Sequence, residues 1–201
     1  TRRAASYDKS GDAHYNLISA LHKSVRGSDP DASLYWLARM LSAGEDPRFL
    51  MRRITRMAVE DIGLADPQAQ SICLHSWETY ERLGSPEGEL ALAQAVVYLA
   101  LAPKSNATYF AYKEAMKAAR KTGSEPPPKR ILNAPTSLMK DEGYGEGYEY
   151  DHDAADAFSG QNYFPDSMKR GIYYVPVERG FERELSRRVS YFAKLRAKRQ
   201  S

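Results

Sequence analysis

The sequence predicts a mostly α-helical fold, and three observations carry that expectation. Apolar residues recur at helical spacing through most of residues 12–122. Three Asp-Pro pairs, Asp29-Pro30, Asp46-Pro47 and Asp66-Pro67, each supply a capping carboxylate followed by a residue suited to the first helical position. The run Leu90 to Ala102 is apolar on every side except at Gln94, the pattern of a helix buried at the middle of a fold.

Taken in order, the first helix runs from a cap at Asp12 to about Arg26, with Leu17, Ile18, Leu21 and Val25 on one face. Gly27-Ser28-Asp29-Pro30 stops it and starts the second, whose inner stripe is Leu34, Leu37, Ala38 and Leu41 before Gly44. The third opens at Asp46-Pro47 and is carried by Leu50, Ile54, Met57 and Ala58. The fourth opens at Asp66-Pro67 and places Ala69, Ile72, Cys73, Ser76, Tyr80 and Leu83 together, closing at Gly84. The apolar fifth helix ends at Pro103, and Ser105 or Asn106 caps a sixth that reaches Lys121. Short loops between such helices favour antiparallel neighbours.

Past Gly123 the composition changes. Pro126-Pro127-Pro128 is a stiff break. From there to Pro176 the chain is rich in Gly, Pro, Tyr and Asp, with a short helix expected over Pro135–Glu142 and a short strand over Ile172–Val175. Its tyrosines suit a segment that wraps a helical body, each with a dry ring and a wet hydroxyl. A last helix is expected from near Val177, with the stripe Phe181, Leu185, Val189 (or Arg188), Phe192 and Leu195.

The missing motifs exclude several function classes. There is no G-x-x-x-x-G-K-[ST] phosphate loop, so no residue here is expected to hold ATP or magnesium, and no catalytic residue is assigned. Gly143-Tyr144-Gly145-Glu146-Gly147 lacks the preceding strand and following helix of a dinucleotide fingerprint. Asp151-His152-Asp153 with Asp156 is the cluster closest to a metal site, but it reads as a solvated acidic turn or a helix cap. Cys73 is the single cysteine, on an apolar face, and reads as a buried thiol. No apolar run approaches the roughly 18 residues of a membrane span.

Charge is the more informative feature. The net charge of the 201 residues is +3, yet Arg179 to Ser201 alone carries eight Lys/Arg and two acids. On the third helix Arg48, Arg52, Arg53 and Arg56 share about 140° of arc, and on the sixth Lys113, Lys117, Arg120 and Lys121 share one face. Each stripe has two readings: phosphate contact without sequence readout, or a solvated face paired with acids such as Glu45, Asp46, Glu60 and Asp61.

Several long strings carry a resemblance. They are Tyr7-Asp8-Lys9-Ser10-Gly11-Asp12-Ala13-His14-Tyr15-Asn16, Tyr35-Trp36-Leu37-Ala38-Arg39-Met40-Leu41, Glu60-Asp61-Ile62-Gly63-Leu64-Ala65-Asp66-Pro67, Ala102-Pro103-Lys104-Ser105-Asn106-Ala107, Gln161-Asn162-Tyr163-Phe164-Pro165 and Arg179-Gly180-Phe181-Glu182. In this order the chain resembles the C-terminal region of the replication-associated recombination protein A (RarA/MgsA) and Werner helicase-interacting protein family. The resemblance implies a parent with an upstream AAA+ ATPase domain that uses ATP and magnesium, and a clamp-loader-collar-like helical region with a loop-rich Tyr/Gly/Pro extension and a C-terminal helix. It implies residues 1–27 as the end of the AAA+ lid and linker helix, 28–122 as the oligomerisation core, and 123–201 as the wrapping segment and last helix. It further implies a homotetramer, DNA and single-stranded DNA-binding protein as partners, and a place in the bacterial cytoplasm away from membranes. Walker motifs, arginine finger and sensors would lie upstream of Thr1.

Overall fold

A computed structural model describes residues 11–201, so the family string at Tyr7-Asp8-Lys9-Ser10 lies outside the described residues. Within them the chain is mostly α, with eight α-helices and no strand. These are α1 (Asp12–Arg26), α2 (Pro30–Ser42), α3 (Pro47–Met57), α4 (Gln68–Leu83), α5 (Glu89–Leu101), α6 (Ala107–Lys121), α7 (Ser137–Asp141) and α8 (Glu182–Gln200). The backbone divides into two compact units: one of residues 11–111 with Tyr174–Ser186, the other of Tyr112–Tyr173 with Arg187–Ser201.

In the first unit Asp29 and Asp46 cap α2 and α3 with proline at the start of the helix, as the sequence suggests, whereas α4 begins one residue later, with Pro67 at its N-cap position. The Asp29 carboxylate accepts from Ala32 N at 2.9 Å, Asp46 from Arg48 N at 2.9 Å, and Asp66 from Gln68 N at 3.0 Å. Asp12 is not the cap of α1; Gly11 is, and Asp12 sits in the first turn, where its charge favours the positive end of the helix dipole. The inner face of α2 is Ser33, Leu37 and Met40, with Ala38 left exposed. Ser33 tolerates burial because its hydroxyl donates to the Asp29 carbonyl at 2.6 Å.

α5 packs against α1, α2, α3 and α4. Its Leu92, Ala95, Val96 and Leu99 are buried among Leu21, Val25, Leu37, Met40, Leu50, Met51, Ile54 and Met57. Each large side chain taken from water there contributes about 1.5–3 kcal/mol. After Met57 the helix widens into a π-turn, Ala58–Ile62, followed by a 3-10 turn, Gly63–Ala65. Within the π-turn Asp61 is buried together with Ala58 and Ile62.

The strings around Ser105 and Gly180 meet in space. Pro103 follows the end of α5, and Lys104 Nζ donates to Ala100 O at 2.9 Å and Ala102 O at 2.7 Å, capping the last carbonyls of that helix. Ser105 Oγ accepts from Ala107 N at the start of α6 and donates to Glu182 at 2.8 Å. Glu182 is fully buried, and its second oxygen accepts from Val177 N at 2.6 Å. Phe181 N donates to Ala65 O at 2.8 Å. Gly180, at φ +55, lies so close to that carbonyl that a Cβ would sit 2.2 Å from the oxygen, so no other residue fits.

In the second unit the Tyr/Gly/Pro segment is held by side-chain bonds and backbone turns rather than by sheet. Arg130 pairs with Asp166 at 3.0 Å and donates to Asn162 O. Gln161 Nε2 donates to Glu149 O, and Asp151 accepts from Ser159 N and Tyr163 OH. Phe158 stacks on Phe192 of α8 at 5.3 Å, with the Arg196 and Arg199 guanidinium groups over its ring. The strand expected over Ile172–Val175 is absent among the described residues, because no second extended segment offers it a ladder. The helix expected over Pro135–Glu142 shortens to α7, capped by Thr136. The last helix begins at Glu182 rather than near Val177, since residues 177–181 are committed to the clasp with Ala65 and Ser105.

Gly180→Ala is expected to lower the thermal midpoint by about 5 °C, the shift of roughly 2 kcal/mol in a chain of this size. Gly147→Ala, where a Cβ would meet no atom, is expected to cost less. Calorimetry on the two variants checks the pair.

Candidate functional site

Three surfaces of the molecule have chemistry beyond core packing: the outer edge of α5, the ionic cluster at the π-turn, and the basic helix faces. α5 is not buried all round as its composition suggests. Leu90 is 75% and Leu101 65% exposed, and with Gln94 and Val97 they form one seam at spacings of four, three and four residues, within about 60° of arc. Leu34 and Ala93 line one side of it, and Ile72, His75, Ser76, Thr79 and Tyr98 the other. Tyr98 OH donates to Asp66 at 2.5 Å, and that bond pushes its pKa up to about 12, so the hydroxyl stays protonated.

At the π-turn Asp61 is the centre of a network. Its carboxylate lies 2.6 Å from His22 Nε2 and accepts from Arg26 Nε at 2.8 Å. Arg26 also approaches Glu60 at 3.7 Å, and Arg56 pairs with Glu60 at 2.9 Å. Burial pushes the Asp61 pKa up, but the bonds from His22 and Arg26 outweigh it and hold the carboxyl below its ordinary value of 3.8. His22, Glu60 and Asp61 bring ligand atoms within 4.8 Å of one another, the spacing of a cation site. Arg26 already supplies the positive charge there, so the set fits an ion-pair network. Asp151 spends its oxygens on Ser159 and Tyr163, and the described Asp151-His152-Asp153 turn gathers no such group.

The two basic stripes differ. On α3, Arg48 grips Glu81 with two bonds of 2.7 and 2.9 Å, and Arg56 is held by Glu60. Arg52 is exposed beside the Phe49 ring, and Arg53 is half-buried with its Nε unpartnered among the described residues. On α6, Lys113, Lys117, Arg120 and Lys121 are all exposed and form no ion pair among the described residues. The structure therefore gathers the α6 set into an open cationic face, while half of the α3 set is neutralised in place. Cys73 is buried, which pushes its thiol up to about 12 and keeps it inert.

Residues 27–193 match the family model described as MgsA AAA+ ATPase C terminal, and residues 1–26 match one described as AAA C-terminal domain. The chain belongs to the MgsA AAA+ ATPase C-terminal family. It is 55% identical to Replication-associated recombination protein A of Coxiella burnetii, over 94% of this chain and 43% of that protein. It is 49% identical to the protein of the same name from Escherichia coli K12, over 95% and 43%. It is 44% identical to ATPase WRNIP1 of Dictyostelium discoideum, over 86% and 20%. The chain thus spans less than half the length of the curated relatives it matches.

Within this MgsA-type region the boundary between the two family models falls at the end of α1, between Arg26 and Gly27. His22 and Arg26 lie on the AAA side and Asp61 on the MgsA side, so the π-turn network bridges the boundary. The sequence holds no G-x-x-x-x-G-K-[ST] phosphate loop, and no step of nucleotide chemistry is assigned to the described residues. No described helix is long and apolar enough to cross a membrane.

Sequence reasoning missed the His22–Arg26–Asp61 network, because its partners lie up to 39 residues apart. One signal was available: Asp61 continues the buried spacing of Ile54, Met57 and Ala58, where a charged residue needs a partner.

Asp61→Ala is expected to lower stability at pH 7 by about 2–3 kcal/mol by taking the partner from buried His22 and leaving Arg26 only its longer contact with Glu60. The Asp61 pKa is depressed on folding, so its stabilisation is complete above the ordinary carboxylate pKa and fades as pH falls through the lowered folded value. Urea titrations of both proteins at pH 7 and pH 3 are expected to show the gap narrowing at pH 3.

Proposed function

We propose that this chain is the non-catalytic assembly region of a DNA-dependent AAA+ ATPase that works in replication-fork maintenance, recombination and repair in the bacterial cytoplasm. In this reading α5 seams join copies of the chain, toward a homotetramer, and so hold several upstream ATPase sites, with their ATP and magnesium, around DNA. Single-stranded DNA-binding protein is a partner of the whole assembly. The names of the relatives support the setting; the carrying observation is the α5 seam itself.

Leu90, Gln94, Val97 and Leu101 have the d-a-d-a spacing of a helix that pairs with a copy of itself. A two-fold contact brings the same residues of both copies together. Leucines this exposed on a helix otherwise buried in the core lose water contact only when a second surface covers them. Gln94 is the one polar residue of the seam and fixes its register by bonding its own copy. A single two-fold seam makes a dimer, so a tetramer requires one further contact.

A second reading, DNA contact by basic helix faces, rests on α6. Lys113, Lys117, Arg120 and Lys121 cover about 100° of one helix with no acid paired to them, whereas Arg48 and Arg56 of α3 already hold acids. Arg52 and Arg53 complete the α3 candidates.

Light scattering at micromolar concentration is expected to give a mass near four times the 22.6 kDa of one chain, and L90D/L101D to reduce it with helical content unchanged. A monomeric wild-type chain would end the assembly reading. The chain alone is expected to turn over no ATP.

A further inference from the structure

We propose that the C-terminal half of α8 is a binding surface for single-stranded nucleic acid, with Tyr191 as a base-stacking platform among three cations. The surface goes beyond the assembly role and uses different residues. Residues 187–201 hold six Lys/Arg and no acid.

The geometry divides this helix into two faces. Phe192, Arg196 and Arg199 point one way: Phe192 stacks on Phe158, both guanidinium groups lie over that ring, and Arg199 donates to Ser159 O at 2.8 Å. Arg187, Tyr191, Lys194 and Lys198 follow one another at spacings of four, three and four, within about 60° of arc on the other face. All four are exposed, Tyr191 at 49%. The Tyr191 ring meets the Phe192 ring edge to face at 5.3 Å, so its position is fixed by the anchored face of the same helix. A π-surface is thereby held in the middle of a row of positive charges about 16 Å long.

That pairing selects the ligand. A single strand offers both phosphates for the cations and an unstacked base for the ring, and each stacked base contributes substantially to affinity. A duplex hides its base faces. A membrane surface needs an apolar face to insert, and the apolar side of α8 is the one that covers Phe158. An acidic peptide satisfies the charges but has no use for the ring at their centre.

The test is fluorescence anisotropy of the 201-residue chain with labelled dT20, titrated over salt. Expected are a tighter complex with dT20 than with a duplex of equal length, and affinity about tenfold weaker for Tyr191→Ala but close to wild type for Tyr191→Phe. K194E/K198E is expected to lower the salt slope by about 1.4, the share of two strand contacts. All these positions are exposed, so circular dichroism of each variant should match the wild type. L90D/L101D retains the surface and is expected to bind still, which separates failure here from failure of the assembly reading. Wild-type affinity in Tyr191→Ala, equal competition by polyglutamate, or no binding of dT20 at low salt would each overturn the proposal.

Discussion

The close approach of four helices to α5 is the constraint on which the first unit depends. Ala91, Ala95 and Ala100 present little bulk, so the neighbours come near enough for Leu92, Val96 and Leu99 to interlock with residues of α1 to α4. Replacing such alanines with larger residues forces backbone shifts, because an interior of this density has no slack. The π-turn that follows α3 carries Asp61, which meets His22 and Arg26 of α1.

Two helices carry the same four-three-four spacing with opposite chemistry. On α5 the positions are Leu90, Gln94, Val97 and Leu101; on α8 they are Arg187, Tyr191, Lys194 and Lys198. In both, one face is fixed by the fold and the remaining face follows from helical geometry alone. In the readings proposed above, the apolar row meets a copy of the same chain and the cationic row a polyanion. Neither row needs a loop to form it, so each is as rigid as the helix that bears it.

Much of the helical order was legible because the punctuation is strong. Asp29 and Asp46 cap where they stand before proline, and Pro103 and Gly84 stop α5 and α4 as read. What the residues did not reveal was direction. A uniformly apolar stretch has no moment, so Leu90 and Leu101 could not be told from Leu92 and Leu99 by pattern, although only the latter pair is buried. α2 was misjudged by about one position because Ser33, a polar residue, takes a core place once its hydroxyl is satisfied by the chain behind it. The strand expected at Ile172–Val175 failed for a non-local reason: β-branched and aromatic residues describe a preference, but a ladder needs a second strand. The basic stripes show their cations in the sequence but not the partners those cations take. Glu81, 33 residues from Arg48, decides that one of them is spent.

The clasp around Glu182 bears on how the polypeptide is made. Ser105 and Ala65 receive their partners from residues 177–182, which leave the ribosome more than seventy residues later. Until then α1 to α5 can assemble, but the Glu182 place beside Ser105 stays open to water. Vectorial synthesis thus holds the first unit one step short of completion until almost the whole chain has emerged, and a truncated product ending in the tyrosine-rich stretch lacks the closing piece.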